Sequence, residues 1–212
     1  LPIYRYTPDA TQDVAVNTPT LSLWGSSVTL GVGQYVDQNV RAADYQSSPL
    51  TVSLTHFNGA SSTPSSVTIP TSSYYTAVRV TGATVGTDTV TASATGENSV
   101  KSAVIVDLGR VDQNSNWPST LSLAGTDSVL VTIYTRDQAS NVRFVSAATT
   151  FTLTGSANVS FVSGGATISS VTVAAGAQSA QFYVKGTSQG TSSVSISNAN
   201  YTTYAPTIVV TP

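Results

Sequence analysis

The chain has no cysteine and no methionine, a single histidine, and only eight basic and ten acidic side chains among 212 residues. Each shortage excludes some chemistry. Without cysteine there is no disulfide, thiolate metal site, iron–sulfur cluster or cysteine nucleophile. One histidine, His56, removes most histidine-based metal and acid–base designs. Eight Lys and Arg at a net charge of -2 cannot supply the run of phosphate contacts on which nucleic-acid affinity rests, so no nucleic-acid partner is expected. No apolar run approaches the roughly 18 to 20 residues of a membrane-spanning helix. The chain starts at Leu1 rather than Met, which suggests a processed chain or an excised fragment.

What is present reads as strand. Hydrophobic residues make up 40% of the chain, more than a disordered hydroxyl-rich linker carries, so the chain folds. Ser and Thr number 65, and Val and Thr recur throughout. β-Branched residues favour a pleated, half-buried surface. Apolar and polar residues alternate with period two. Tyr74, Thr76, Val78 and Val80 share one face, with Tyr75, Ala77, Arg79 and Thr81 on the other. In a later run Ala180, Phe182 and Val184 face inward, and Gln181, Tyr183 and Lys185 outward. Turn signals at Gly31/Gly33, Asp37-Gln38-Asn39, Asn58-Gly59, Gly82, Gly86 and Gly96, and again from Gly155 to Gly190, imply about seven short strands per domain.

The chain repeats itself. Val67 to Leu108 aligns without a gap onto Val171 to Pro212, an offset of 104 residues with nine identities in 42 positions. Identity that low decides little; the matched glycines and the unbroken apolar pattern carry the repeat. Earlier segments match at shorter offsets: Thr20-Leu21-Ser22-Leu23 with Thr120-Leu121-Ser122-Leu123, Val28/Leu30/Val32 with Val129/Val131/Ile133, and Asp37-Gln38 with Asp137-Gln138. The expected organisation is an N-terminal extended segment (1–18), a first sandwich (19–109), a polar linker (110–117) and a second sandwich (118–212). The fold class is all-β: two tandem immunoglobulin-like antiparallel β-sandwiches. The apolar N-terminal segment, with Tyr4 and Tyr6, is expected to lie on the first sandwich's edge or on a partner chain.

With its opening Leu-x-Leu strand (Leu21/Leu23, Leu121/Leu123), Asp-initiated turns and late Gly-x-x-x-Gly-Thr before a strand, the sequence resembles tandem bacterial immunoglobulin-like domains of the invasin and intimin type. The first domain departs from that pattern: Pro70-Thr71-Ser72-Ser73 replaces the usual glycine turn, and Asn58 to Ser66 is shorter than Ala157 to Ser170. The resemblance implies a spacer or binding module and fixes no ligand.

Few residues suggest chemistry. His56 is the only group suited to general-base work at neutral pH, but no Gly-x-Ser-x-Gly elbow accompanies it, and a strand-end or loop histidine is the simpler reading. Glu97 is the only glutamate and the aspartates fall mostly at turn positions, so a glycosidase carboxylate pair is not expected. No cofactor is expected. Calcium is the one metal candidate, through Asp107, Asp112, Gln113 and Asn114 at the linker or Asp37 with Asp44, against a merely solvated linker. Candidate contact residues are Tyr4, Tyr6, Tyr75, Tyr183 and Trp117, with Trp117 expected to pack between the domains. The expected function is a non-enzymatic, extracytoplasmic structural protein, an assembly subunit of a surface layer, filament or larger membrane-anchored complex. Its partners would be proteins, including copies of itself. The alternative is an adhesin or carbohydrate-binding module recognising a cell-surface glycan or receptor.

Overall fold

The structure, a computed structural model, describes residues 17–113, 117–123 and 128–212. The first eight strands are β1 (Ser27–Gly31), β2 (Gln34–Arg41), β3 (Leu50–His56), β4 (Ser61–Ser62), β5 (Ser66–Ile69), β6 (Tyr75–Gly82), β7 (Gly86–Ser93) and β8 (Val100–Asp107). They form two facing sheets, β1-β8-β7-β3-β5 and β2-β6-β4, with β1 parallel to β8 and the remaining pairs antiparallel. The period-two pattern is realised: along β6, Val78 and Val80 are buried and Tyr75, Ala77 and Arg79 exposed. Leu30, Val40, Val52, Ile69, Val90 and Val104 close the core at no solvent exposure. Each such side chain stabilises the fold by about 1.5–3 kcal/mol relative to leaving it in water.

Twelve strands follow: β9 (Gly109–Gln113), β10 (Thr120–Ser122), β11 (Ser128–Arg136), β12 (Phe144–Val145), β13 (Thr149–Gly155), β14 (Val159–Ser163), β15 (Ala166–Ile168), β16 (Ser170–Val173), β17 (Ser179–Gly186), β18 (Gly190–Asn198), β19 (Tyr201–Tyr204) and β20 (Thr207–Thr211). One face is β10-β20-β18-β13-β16 and the other β9-β11-β17-β14-β15, with β19 joining β18 to β9. A second core centres on Phe151, Phe161, Phe182, Ile196 and Ile208. Two face-to-face sheets around each of two separate cores are the immunoglobulin-like sandwich arrangement.

Three sequence expectations need correction. Residues 110–113 are no linker: β9 pairs with β11 and β19, and Val111 is buried in the second core. Asp37-Gln38-Asn39 is no turn but lies inside β2, paired residue by residue with β6; Asp137, by contrast, does open a turn, since Ser140 N–H donates to its carbonyl. The early repeat register also shifts. Tyr35 lies opposite Thr81 and Ser128 opposite Lys185, so the 104-residue match of Thr81 with Lys185 makes Ser128 the counterpart of Tyr35. Leu30 and Leu121 likewise both lie beside the last strand, opposite Val106 and Val210. Leu121 is therefore the counterpart of Leu30 and not of Leu21.

Candidate functional site

The two sandwiches meet through shared backbone. β12 of the second sandwich adds to β2 of the first, with Phe144 opposite Tyr35 and Val145 opposite Gln34. Ser146 extends the pairing, its backbone N–H and its hydroxyl both donating to the Gly33 carbonyl at 2.8 and 2.9 Å. At the centre lies Gln34, with no solvent exposure. Its Oε1 accepts from Gly31 N–H at 2.8 Å, and its Nε2 donates to the Arg136 carbonyl at 2.9 Å and the Tyr201 hydroxyl at 3.4 Å. A buried amide survives folding only when its groups are bonded, so Gln34 ties the two domains into one arrangement. Burial pushes the Tyr201 hydroxyl up, against the lowering effect of the Gln34 bond.

Close approach demands glycine here. A Cβ on Gly109 would lie 2.5 Å from Tyr201 Cε1 and 2.9 Å from Gln34 Nε2, and one on Gly31 would lie 2.7 Å from Gly109 Cα. Outside this polar centre, the Phe144 ring stacks on Tyr35 at 5.5 Å and the Arg79 guanidinium lies over the Tyr35 ring at 3.9 Å. Asp37 holds Arg79 there through two contacts of 2.8 and 3.1 Å, and this hydrogen bond lowers the Asp37 carboxyl. The loop that presents β12 is organised by buried Asp137, which accepts from Asn141 N–H and from Arg143 Nε at 2.9 and 2.8 Å.

A second polar centre sits where β3 leaves the first sandwich. His56 is the last residue of β3, and its Nδ1 lies 2.9 Å from Asp88 Oδ2 while its Nε2 lies 3.0 Å from Thr63 Oγ1. Asp88, fully buried, also accepts from Ser61 Oγ at 2.8 Å and from the backbone N–H groups of Phe57, Asn58, Ser61 and Thr89 at 2.8 to 3.2 Å. Burial works to raise its carboxyl, but the bonds from His56, Ser61 and Asn58 outweigh it and hold Asp88 well below the ordinary carboxylate range. The line Asp88, His56, Thr63 has the linkage of a proton relay. Its chemistry is nevertheless that of a tether: both Asp88 oxygens are occupied by donors of the 57–61 loop, and the Thr63 hydroxyl has a competing acceptor in the Pro64 carbonyl at 3.0 Å. Asp88 is an aspartate inside a strand and not at a turn.

The expected contact residues are dispersed. Tyr4 and Tyr6 lie outside the described residues. Tyr75 and Tyr183 point outward, 47% and 41% exposed, but they are not counterparts: in the repeat Tyr183 matches Arg79. Trp117 does not pack between the domains; its ring meets Phe182 and Tyr204 edge-on at 6.4 and 6.0 Å, within the second core. Of the calcium candidates, Asp37 and Asp112 face Arg79 and Arg136, and Asn114 lies outside the described residues. Among the described residues no three His, Asp or Glu gather as a metal site. None of Gln34, Gly109 and Phe144 stood out in the sequence; the glycines of Gly31-Val32-Gly33 were visible as a turn.

No protein-family model matches the chain, and no curated protein matches it. Among solved structures it is similar to the D0-D1 domains of intimin (15% identity, 91% of this chain and 97% of that one, TM-score 0.36). It is similar also to domains 5-6 of the S-layer protein SbsC (15% identity, 92% and 97%, TM-score 0.35) and to the D00-D0 domains of intimin (10% identity, 92% and 100%, TM-score 0.40). Superpositions this loose leave the architecture to rest on the strand pairing itself, which is that of tandem immunoglobulin-like sandwiches.

Proposed function

We propose that this chain is a non-enzymatic, extracytoplasmic structural protein, an assembly subunit of a surface layer, filament or larger membrane-anchored complex. The observation that carries the reading is the junction. A flexible pair of modules needs only a tether, whereas here the second sandwich completes a sheet of the first around a buried amide, as a spacer that must keep its length and direction requires. The extracytoplasmic setting is supported by the sequence's resemblance to bacterial immunoglobulin-like surface modules. Among the described residues no helix is long and apolar enough to cross a membrane.

The test is inter-domain rigidity. NMR relaxation and residual dipolar couplings should show both sandwiches sharing one alignment and one tumbling time. Gln34→Ala strips the Arg136 carbonyl and Gly31 N–H of a buried partner, costs about 1–3 kcal/mol, and should let the two alignments diverge. Independent tumbling in the unaltered chain would sink the reading.

One observation favours an adhesin instead. Tyr45, Tyr74 and Tyr75 cluster edge-on at 5.2 Å separations, with Tyr45 71% exposed, at the end of the first sandwich remote from the junction. Aromatic faces of this kind bind sugars, and a glycan array with Tyr45→Ala as control separates the two readings.

A further inference from the structure

We propose that this chain bears tension, each sandwich being latched and closed by its terminal segments so that an end-to-end pull loads their hydrogen bonds in shear. This deepens the scaffold reading and rests on it for the source of the pull.

In the first sandwich the entering and leaving segments run side by side in one direction. Thr20 bridges Asn98 in parallel, and β1 then pairs with β8 in parallel, Ser27–Gly31 against Ala103–Asp107. Ala103 N–H donates to the Ser26 carbonyl at 3.2 Å, the Ser102 hydroxyl to the Gly25 carbonyl at 2.7 Å and Val32 N–H to the Asp107 carbonyl at 3.0 Å. The chain enters beside Asn98 and leaves after Asp107, at opposite ends of this patch. Traction on Asn17 and on Leu108 slides one segment along the other. Bonds in a parallel ladder are evenly spaced, so they share that load and must fail together. Neighbours pulled from one end part bond by bond instead.

Asn98 is the latch. Its backbone N–H donates to the Pro19 carbonyl at 2.7 Å and its carbonyl accepts from Leu21 N–H at 3.2 Å. Its side-chain Nδ2 donates to the Thr18 carbonyl and the Thr20 hydroxyl at 3.0 and 3.3 Å. Ser22 then exchanges two backbone bonds with Arg41 of β2, at 2.8 and 2.9 Å, so the entering segment is fastened to both sheets. The same order of fastenings recurs in the second sandwich. Thr202, the 104-residue counterpart of Asn98, pairs in parallel with Arg110; Asp112 pairs with Tyr134 of β11; and Thr120–Ser122 runs parallel to Val209–Thr211. A single residue, Leu108, separates the end of β8 from the start of β9. Two latched sandwiches joined with so little slack pass a pull directly from one to the next.

Forced unfolding reports the rate of crossing the unfolding barrier, so the direction of pull is the test. The chain has no cysteine, and pairs of introduced ones carry DNA handles for optical tweezers. Asn17→Cys with Leu108→Cys pulls along the parallel patch, whereas Asn17→Cys with Thr95→Cys pulls from one end of it. The first sandwich should yield in the first geometry at a force several-fold above the second. Equal forces overturn the proposal, whether or not the two sandwiches prove rigidly joined. Asn98→Ala, at an exposed position, keeps the backbone pairing and removes the two side-chain bonds of the latch. It should lower the force along the patch while the urea midpoint of the first sandwich stays near that of the parent. A force unchanged, or lowered only in step with the midpoint, overturns the part given to Asn98.

Discussion

The two sandwiches solve one problem in different ways. In each, the chain must cross from one sheet, leaving β3 or β13, to the other. In the second sandwich the crossing is a β14–β15 hairpin, with four residues of β14 laddered to β17. The corresponding strand of the first, β4, is two residues long, pairs only with Thr81 and Gly82, and has no hairpin partner. Missing ladder bonds leave backbone donors that must find acceptors elsewhere. Asp88 supplies them, gathering the 57–61 loop onto one carboxylate. Its counterpart in the repeat, Ser192, is equally buried but receives a single side-chain bond, from Ser156 at 2.7 Å. A shorter crossing thus places a buried charge where a longer one needs only a hydroxyl.

The strongest test of that contrast is Asp88→Ala. It leaves four backbone N–H groups and His56 without their acceptor, a loss of roughly 3–5 kcal/mol, which should unfold the first sandwich well before the second. The chain carries its own reporters, since Trp24 packs on the first core and Trp117 on the second. Urea titrations followed by fluorescence in Trp24→Phe and Trp117→Phe backgrounds resolve the two transitions. A common midpoint unchanged from the parent would refute the tether.

How much of this was legible beforehand depended on where the information lies. The gapless match from Val67 onward was readable because β5 to β8 repeat without insertion. The earlier register was not, since Leu-x-Leu pairs are abundant and sheet register is set by partners far along the chain. Asp88 could have been found: it alternates with Val90 and Ala92, both buried, so the period-two rule puts it inside. Gln34 could not, because its partners Arg136 and Tyr201 lie 102 and 167 residues away. Local pattern shows which face is buried; it does not show which buried polar groups meet.

Acid sharpens the same comparison by a smaller amount. The folded Asp88 carboxyl sits below its ordinary value of 3.8, so between the two values the unfolded chain binds more protons than the folded one. The stability it contributes is therefore present above about pH 3.8 and is lost as pH falls from there through the lower folded value. Glu97 acts in the opposite sense, because burial, then the nearby Asp44 charge, raises its carboxyl. The difference between the parent and Asp88→Asn cancels that contribution. It should be constant near neutral pH and shrink as the acid range is entered; a difference that grows with acid would reverse the assignment.

The smallest effect belongs to the second sandwich. Ser192→Ala removes one neutral hydrogen bond at a buried site, worth about 0.5–1.5 kcal/mol. Because β14 is held to β17 by four paired residues, and because Asn158 bonds separately to the Ser188 hydroxyl and the Gln189 carbonyl, the hairpin keeps its position. Hydrogen exchange of Val159 to Val162 should quicken only in proportion to the global loss. The equivalent residues around Ser61 in Asp88→Ala should exchange through local opening as well. If Ser192→Ala opened its hairpin locally to the same degree, the two crossings would share one tether, and the difference in strand length would have no bearing on the buried charge.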